Sequence, residues 1–503
     1  MSGAARRTWA LFALTFVGIS LVQLAWALVV PPFRGSDEHD HVFRAAAVAR
    51  GEWRPDFQRV EDGRGDLVTV PGDLVTAAHP VCAALPYTGP DDCSASRTLA
   101  DGQVQVGSAA ARYHPAFYWV VGTAARPWHG AEAVYAMRAA TAALCAALVA
   151  LTLVTLRRSA TTVWPGAALL VVLTPVTTYS MSIVAANGVE MAAGALLWAA
   201  LLGVSRRRGA QDVRWFGPAL LGACLLVTLR SLGPLWFVLI LLAAALAVGR
   251  SAWWSALVDL GRTRLLAGGL LLGACLAGGV AWTMTSGTNQ PAATDSFTGS
   301  PWPGIVEQPV VWVLQTVAAF PARDDSASPI VYALGLILFW ALLAAGWRTS
   351  DGRGRLAAGL VVLASVLLPL AITVLTFASV GFAWQGRYGW PLALGVLLLA
   401  GRALDGAATQ PSRRVGLVLV AAVAAVLATA TAVGQLGVLH GELVTSPLAT
   451  DPAWLRPSGA LVVLLTALGC GLVALAAVNR RDEPAEAATT MPTRRTSASS
   501  LSR

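Results

Sequence analysis

Stretches of about twenty apolar residues recur along the whole chain, from "WALFALTFVGISLVQLAWALVV" near the start to "ALVVLLTALGCGLVALAAV" near the end. Each is long enough to cross roughly 30 Å of hydrocarbon as a helix. In lipid, only helices and closed barrels satisfy every backbone polar group. Composition agrees: of 503 residues, 13% are charged and 56% are hydrophobic, against about 25% charged in soluble domains. The fold class is therefore an all-α integral membrane protein. Twelve transmembrane helices are expected, at 8–30, 131–156, 163–181, 184–204, 215–230, 233–249, 264–284, 329–347, 356–379, 388–402, 415–437 and 459–478.

The net charge of +9 resides wholly on arginine, since the chain has no lysine. A basic chain raises the question of nucleic acid, but these arginines sit in short connections between apolar segments, where membrane topology accounts for them. Arg6-Arg7, Arg157-Arg158, Arg206 to Arg208, Arg250 with Arg262 and Arg264, Arg348 with Arg353 and Arg355, Arg413-Arg414 and Arg480-Arg481 occupy every second connection. Positive residues favour the inner face, so both termini are expected in the cytoplasm and no nucleic-acid partner is expected. The other face carries loops at 31–110 and 285–328. The first apolar segment is too long for a signal-peptide core and reads as a retained helix. The chain thus reads as one multipass domain, 1–480, with a disordered cytoplasmic tail at 481–503, rich in Ala, Ser, Thr and Pro. No internal repeat marks it as an inverted-repeat transporter.

Four of six cysteines fall inside apolar spans; Cys82 and Cys93 share the first long loop, where a disulfide is open to them if that loop is extracytoplasmic. There is no zinc-type Cys/His spacing, no phosphate loop and no dinucleotide glycine fingerprint.

On this topology six connections deliver ionisable groups to the outer face: Asp37, Glu38 and His41; Arg112, Tyr113 and His114; Asn187 and Glu190; Arg230; Arg323, Asp324 and Asp325; and Gln385 with Arg387. Charge at membrane depth is costly and marks sites. Plainer readings exist for each. Ser36-Asp37 suits a helix N-cap, with Asp40 and Arg44 paired one turn apart. Arg230 and Arg387 suit head-group anchors, Glu190 a structural ion pair, and "HPAFYWVVG" an interfacial aromatic belt. His41 follows Asp37 by four and Glu38 by three, so the three can share one helix face, a spacing that suits a metal site or a carboxylate-oriented histidine.

The segment Asp37-Glu38-x-x-His41 followed by "FRAAAVARGEW" resembles the opening motif of a bacterial multipass family known as domain of unknown function 2142, which is placed near the GT-C glycosyltransferases. The family pattern is Pro-Asp-Glu-x-x-His, an aromatic residue, Arg-Ala and a later Gly. Here Ser36 replaces the proline, while Asp37, Glu38, His41, Phe43, Arg44, Ala45 and Gly51 fit. The resemblance continues through "YHPAFYWVVG", "MRAATAALCAAL", "LTPVTTYSMSIVAANGVEMAAGALLW", "FPARDDSASP" and "QGRYGWPLALGVLL", in order from residue 31 to about 400. The last is the most distinctive; Asn187-Gly188 in place of the commoner Asn-Pro is a departure.

The resemblance implies a GT-C-like arrangement and transfer of a sugar from a polyprenyl-phosphate donor at the extracytoplasmic face of the plasma membrane. The acceptor would be an envelope glycan, a lipid or a protein. Asp37 or Glu38 would remove the acceptor proton. The other would orient the acceptor or hold a divalent cation, Mg or Mn. Arg387, then Arg230 and His114, would hold the leaving phosphate, with Tyr113, His41, Gln385, Asn187, Glu190 and Asp324 completing the substrate site. The competing readings are a transporter or flippase of a lipid-linked or small polar solute, and a non-catalytic cell-envelope assembly protein.

Overall fold

The computed structural model describes residues 3–60, 64–85, 88, 92–204, 213–288, 297–322 and 325–478. Every apolar stretch expected to cross the membrane is helical, as a backbone without water requires. The chain opens with α1 (Gly3–Val29). A long loop then carries α2 (Glu38–Ala49), β1 (Asp66–Pro71), α3 (Gly72–Cys82), β2 (Arg97–Thr98), β3 (Gln103–Ser108) and α4 (Pro115–Ala125). The bundle continues with α5 (Gly130–Ser159), α6 (Trp164–Val172), α7 (Pro175–Ser180), α8 (Ala186–Gly203), α9 (Phe216–Leu229), α10 (Gly233–Val248), α11 (Arg250–Leu260) and α12 (Arg262–Ser286). After the short α13 (Trp302–Ile305) and α14 (Gln308–Val317) come α15 (Pro329–Thr349), α16 (Gly352–Val380), α17 (Gly386–Ala393), α18 (Gly395–Asp405), α19 (Arg413–Thr445) and α20 (Gly459–Val478).

Among the described residues eight helices are long and apolar enough to cross a membrane, or nine if α10 and α11, bent by 110° at Gly249, form one span. The other expected spans are short or broken. The stretch 163–181 divides at Thr174-Pro175, where proline lacks the N–H that would continue a helix, and the Thr174 hydroxyl caps α7 by accepting from the Thr177 N–H. The stretch 388–402 becomes α17 and α18, and α9 has 14 residues where an upright span takes about 20. The tail 481–503, Arg206 to Arg208, Arg480-Arg481 and Asp324 lie outside the described residues.

The long loop builds the floor of the site. Strand β3 pairs antiparallel with β1, from Asp66↔Ser108 to Pro71↔Gln103, and with β2 on its other edge. Alternation in "DLVTVP" and "QVQVGS" turns Val68, Val70, Val104 and Val106 to one buried face, as a period of two requires. Cys82 and Cys93 are joined in a disulfide that ties the end of α3 to the approach to β2. Helix α2 is buried along its whole length. It lies against α4 closely enough that a Cβ at Gly122 would run into the Ala45 carbonyl. By contrast α12 is nearly bare: three of its residues, Gly268, Gly279 and Ser286, are buried.

Candidate active site

Helix α2 starts from a left-handed residue, Asp37 at φ 54, ψ 19, a region that Asp tolerates better than most side chains. Its carboxylate makes no cap hydrogen bond, so the N-cap reading gives way to another. The carboxylate faces Arg387, whose Nη2 donates to Oδ2 at 3.5 Å, and Arg64, 3.9 Å from Oδ1. One third of the Asp37 side chain (33%) stays open, against 8% for Arg387. Burial raises the Asp37 pKa, but the Arg387 and Arg64 guanidiniums beside it outweigh it and hold the carboxyl below its ordinary value, ionised at neutral pH.

Its neighbour is differently placed. Glu38 is fully buried and accepts four hydrogen bonds: from Arg138 Nε at 2.8 Å, Arg138 Nη2 at 2.6 Å, the Gly35 N–H at 3.2 Å and the Val184 N–H at 3.0 Å. Arg138 also donates to the carbonyls of Ala27, Val30 and Pro31. The pair therefore knots the end of α1, the start of α2, α5 and the turn before α8. The two adjacent carboxylates have separate roles: one is open, the other is spent on structure.

The expected Asp40–Arg44 pair does not form. Arg44 donates to the carbonyls of Glu52, Trp53 and Tyr113, while Asp40 accepts from the Ala109 N–H at 2.6 Å and faces His39 and Arg64. With α2 enclosed on all sides, each side chain meets a different neighbour rather than the solvent where one-turn pairs form. His41 shares a 2.7 Å hydrogen bond with the Tyr118 hydroxyl through Nδ1. Burial, against the pull of Asp37, pushes its pKa down to about 3, so the ring is neutral.

Arg230 stands just past the end of α9. Its Nη1 donates to Asn187 Oδ1 at 2.6 Å, and Glu190 lies 4.0 Å from Nε. The guanidinium lies 5.2 Å from the Tyr113 ring and 5.0 Å from that of Tyr388, with Arg387 5.6 Å from the same Tyr388 ring. Arg387 is held in turn by its helix start: the Gly386 N–H donates to Gln315 Oε1 at 2.8 Å, and Gln385, buried, occupies the N-cap of α17. Two buried donors here, Arg387 Nε and Asn187 Nδ2, have no acceptor among the described residues. Unpaired buried donors are uncommon and ask for an explanation; two beside a pair of guanidiniums describe a cradle for an anion.

The site lies within a family match. Residues 21–396 match the family described as a predicted membrane protein, DUF2142. The chain belongs to that family. The matched DUF2142 region contains every described residue of the site, from Asp37 to Arg387. No curated protein matches the chain by sequence. The solved structures similar to it include ArnT from Cupriavidus metallidurans in the apo state (16% identity, TM-score 0.44, covering 95% of this chain and 78% of that one), and the same protein bound to undecaprenyl phosphate (16%, 0.44, 92% and 76%).

In this DUF2142 chain the donor set does not suit a divalent cation. Magnesium and manganese want several oxygen ligands, whereas Asp37 is flanked by two guanidiniums and both Glu38 oxygens are taken. His114 accepts from the Ala116 N–H and stands edge-on to Trp282, next to the cradle rather than in it. Sequence reasoning missed Arg138, Arg64, Tyr118, Tyr388 and Trp282. Arg138 carried a usable signal, an arginine inside an apolar span; Arg64, in a polar loop, carried none.

Proposed function

We propose that the chain is a GT-C-type glycosyltransferase that takes a sugar from a polyprenyl-phosphate donor to a cell-envelope acceptor at the extracytoplasmic face. The observation that carries this reading is the open, ionised Asp37 carboxylate beside Arg387, which shares the Tyr388 ring with Arg230 next to two unpaired donors. An acceptor hydroxyl is a poor nucleophile until a carboxylate within hydrogen-bond reach takes its proton during attack. The new bond to the anomeric carbon forms as the carbon–phosphate oxygen bond breaks, and polyprenyl phosphate leaves with the electron pair. Arg387 and Arg230 neutralise that leaving group. Because the displacement is direct and uses one carboxylate, the anomeric centre inverts.

The same geometry couples the two halves of the reaction. While Arg387 faces Asp37 the carboxylate is a weak base. A donor phosphate engaging Arg387 would cancel part of that positive field and raise the Asp37 pKa toward the working range. Glu38 in this account is a structural tie and takes no proton. On this reading the arginine-rich connections face the cytoplasm, both termini lie inside, and the plasma membrane is the host.

The test is donor turnover in nanodiscs, reading release of polyprenyl phosphate. Asp37→Asn keeps a residue that tolerates the left-handed backbone and is expected to lower turnover about 10²–10⁴-fold, with an unchanged melting temperature. Arg387→Ala is expected to lose about 10²–10³-fold. Wild type that binds such lipids and never cleaves them, with acceptor supplied, turns the reading to transport.

A further inference from the structure

Between α9, α12 and the end of the long loop lies a cavity of about 150 Å³, walled by Tyr113, His114, Arg230, Ser231, Trp282 and Thr283. Arg230 belongs both to this cavity and to the anion cradle. A phosphate held by the two arginines would therefore place its substituent at the cavity mouth. We propose that the cavity takes the transferred group as a single uncharged sugar ring, a neutral hexose or pentose and not an amino sugar; the inference rests on the glycosyltransferase reading above.

Size is the first argument. The cavity has about half the ~300 Å³ at which drug-sized ligand pockets begin, room for one ring and too little for two. Chemistry is the second. Trp282 is fixed by its indole N–H to the Arg112 carbonyl at 2.9 Å, and with Tyr113 it offers rigid aromatic walls for the C–H face of a sugar. Thr228, Ser231, Thr283 and Thr288 supply hydroxyls for its polar edge. Each threonine donates its own hydrogen to a backbone carbonyl and so meets a sugar hydroxyl as an acceptor.

Charge is the third argument and decides the class. No carboxylate occurs among the described residues that line the cavity, and Arg230 is positive. An ammonium there would find no carboxylate left to pair with, since Glu190 is already engaged by Arg230, a costly arrangement in a site withdrawn from water. A sugar carboxylate gains little, because Arg230 already answers to Glu190 at 4.0 Å and to the donor phosphate. His114 does not alter the balance: burial, and then Arg44, lower its pKa and keep it neutral.

The experiment uses the full chain in nanodiscs with polyprenyl phosphates that are unsubstituted or carry a neutral hexose, a neutral pentose, a uronic acid or an amino sugar. Wild type is expected to turn over a neutral donor at least tenfold faster, by kcat/KM, than the charged ones. Ser231→Leu and Thr283→Leu fill the cavity. Both should cut that value at least tenfold and leave binding of the unsubstituted lipid phosphate unchanged. Ser231→Asp should shift the donor ratio toward the amino sugar. Preference of wild type for an amino sugar or a uronic acid overturns the inference, as do folded cavity-filling variants with wild-type kinetics. Wild type that fails to bind the unsubstituted lipid phosphate overturns the glycosyltransferase reading instead, and this inference with it.

Discussion

At the scale of single residues, Asp37 and Glu38 are neighbours in sequence and opposites in environment. Breaking a buried pair leaves an unanswered charge and costs about 3–5 kcal/mol, while replacing both partners by apolar groups costs far less. Glu38→Gln should therefore lower the melting temperature sharply, and Glu38→Gln with Arg138→Met should recover part of it; equal melting of the single variant and wild type would refute the tie. Asp37 should instead show itself in the pH dependence of kcat/KM. Its carboxyl is held below the ordinary value by Arg387 and Arg64, so the acid limb of wild type should lie below the ordinary carboxylate range. Removing a cation raises the pKa, so the limb of Arg387→Ala, measured on its residual activity, should move to higher pH. That an acidic group waits at the mouth of the first span was legible in "GSDEHDH". Which of the two stays open was not, because adjacent residues share every local signal and the partner that separates them, Arg138, lies 100 positions away.

At the scale of elements, α2 is the part that aims the chemistry, and α4 and the small sheet hold it in place. Gly122 lets α4 lie flush on α2. Gly122→Val should push the two apart, cut turnover at least tenfold and lower the melting temperature, with small-residue Gly122→Ala intermediate; activity and calorimetry on the same preparations check it. The helices themselves were readable from apolar runs, because lipid leaves a spanning backbone few options. The α6–α7 break was not predicted, even though Thr174-Pro175 stands in the sequence, since proline within membrane helices is often tolerated. The three-stranded sheet was also missed: its strands are short, and only β1 and β3 carry clear alternation.

At the scale of the whole molecule, the bundle gathers residues from the long loop, α8, the α9–α10 turn and α17 into one site. On the proposed topology that site lies on the face opposite the arginine-rich connections. Single cysteines placed at Ser159 and at Thr445, in a background without the four free cysteines, should react with a membrane-impermeant maleimide on intact cells at Thr445 only. Labelling at Ser159 would invert the topology. The convergence itself was partly visible in advance: six polar connections on one expected face. Their distances were not, since the helix tilts that set them follow from packing among residues far apart in the chain.

One element has a further consequence. Helix α12 has 25 residues, and 6% of the residues in its most apolar window are buried by protein. It touches α9 where Gly279 meets the Val227 carbonyl, and its outer tip is bolted to the long loop by Ser286 and Thr288, whose hydroxyls donate to the Arg112 carbonyl. Its apolar part, 265–284, is about 30 Å long and so matches the hydrocarbon layer; a bare helix of that length answers a thinner bilayer by tilting. Trp282 rides on that helix and walls the cavity. A cavity wall carried on so bare a helix ties the shape of the site to the bilayer: on the proposed function, the lipids around α12 would help to set the site as well as deliver what it acts on.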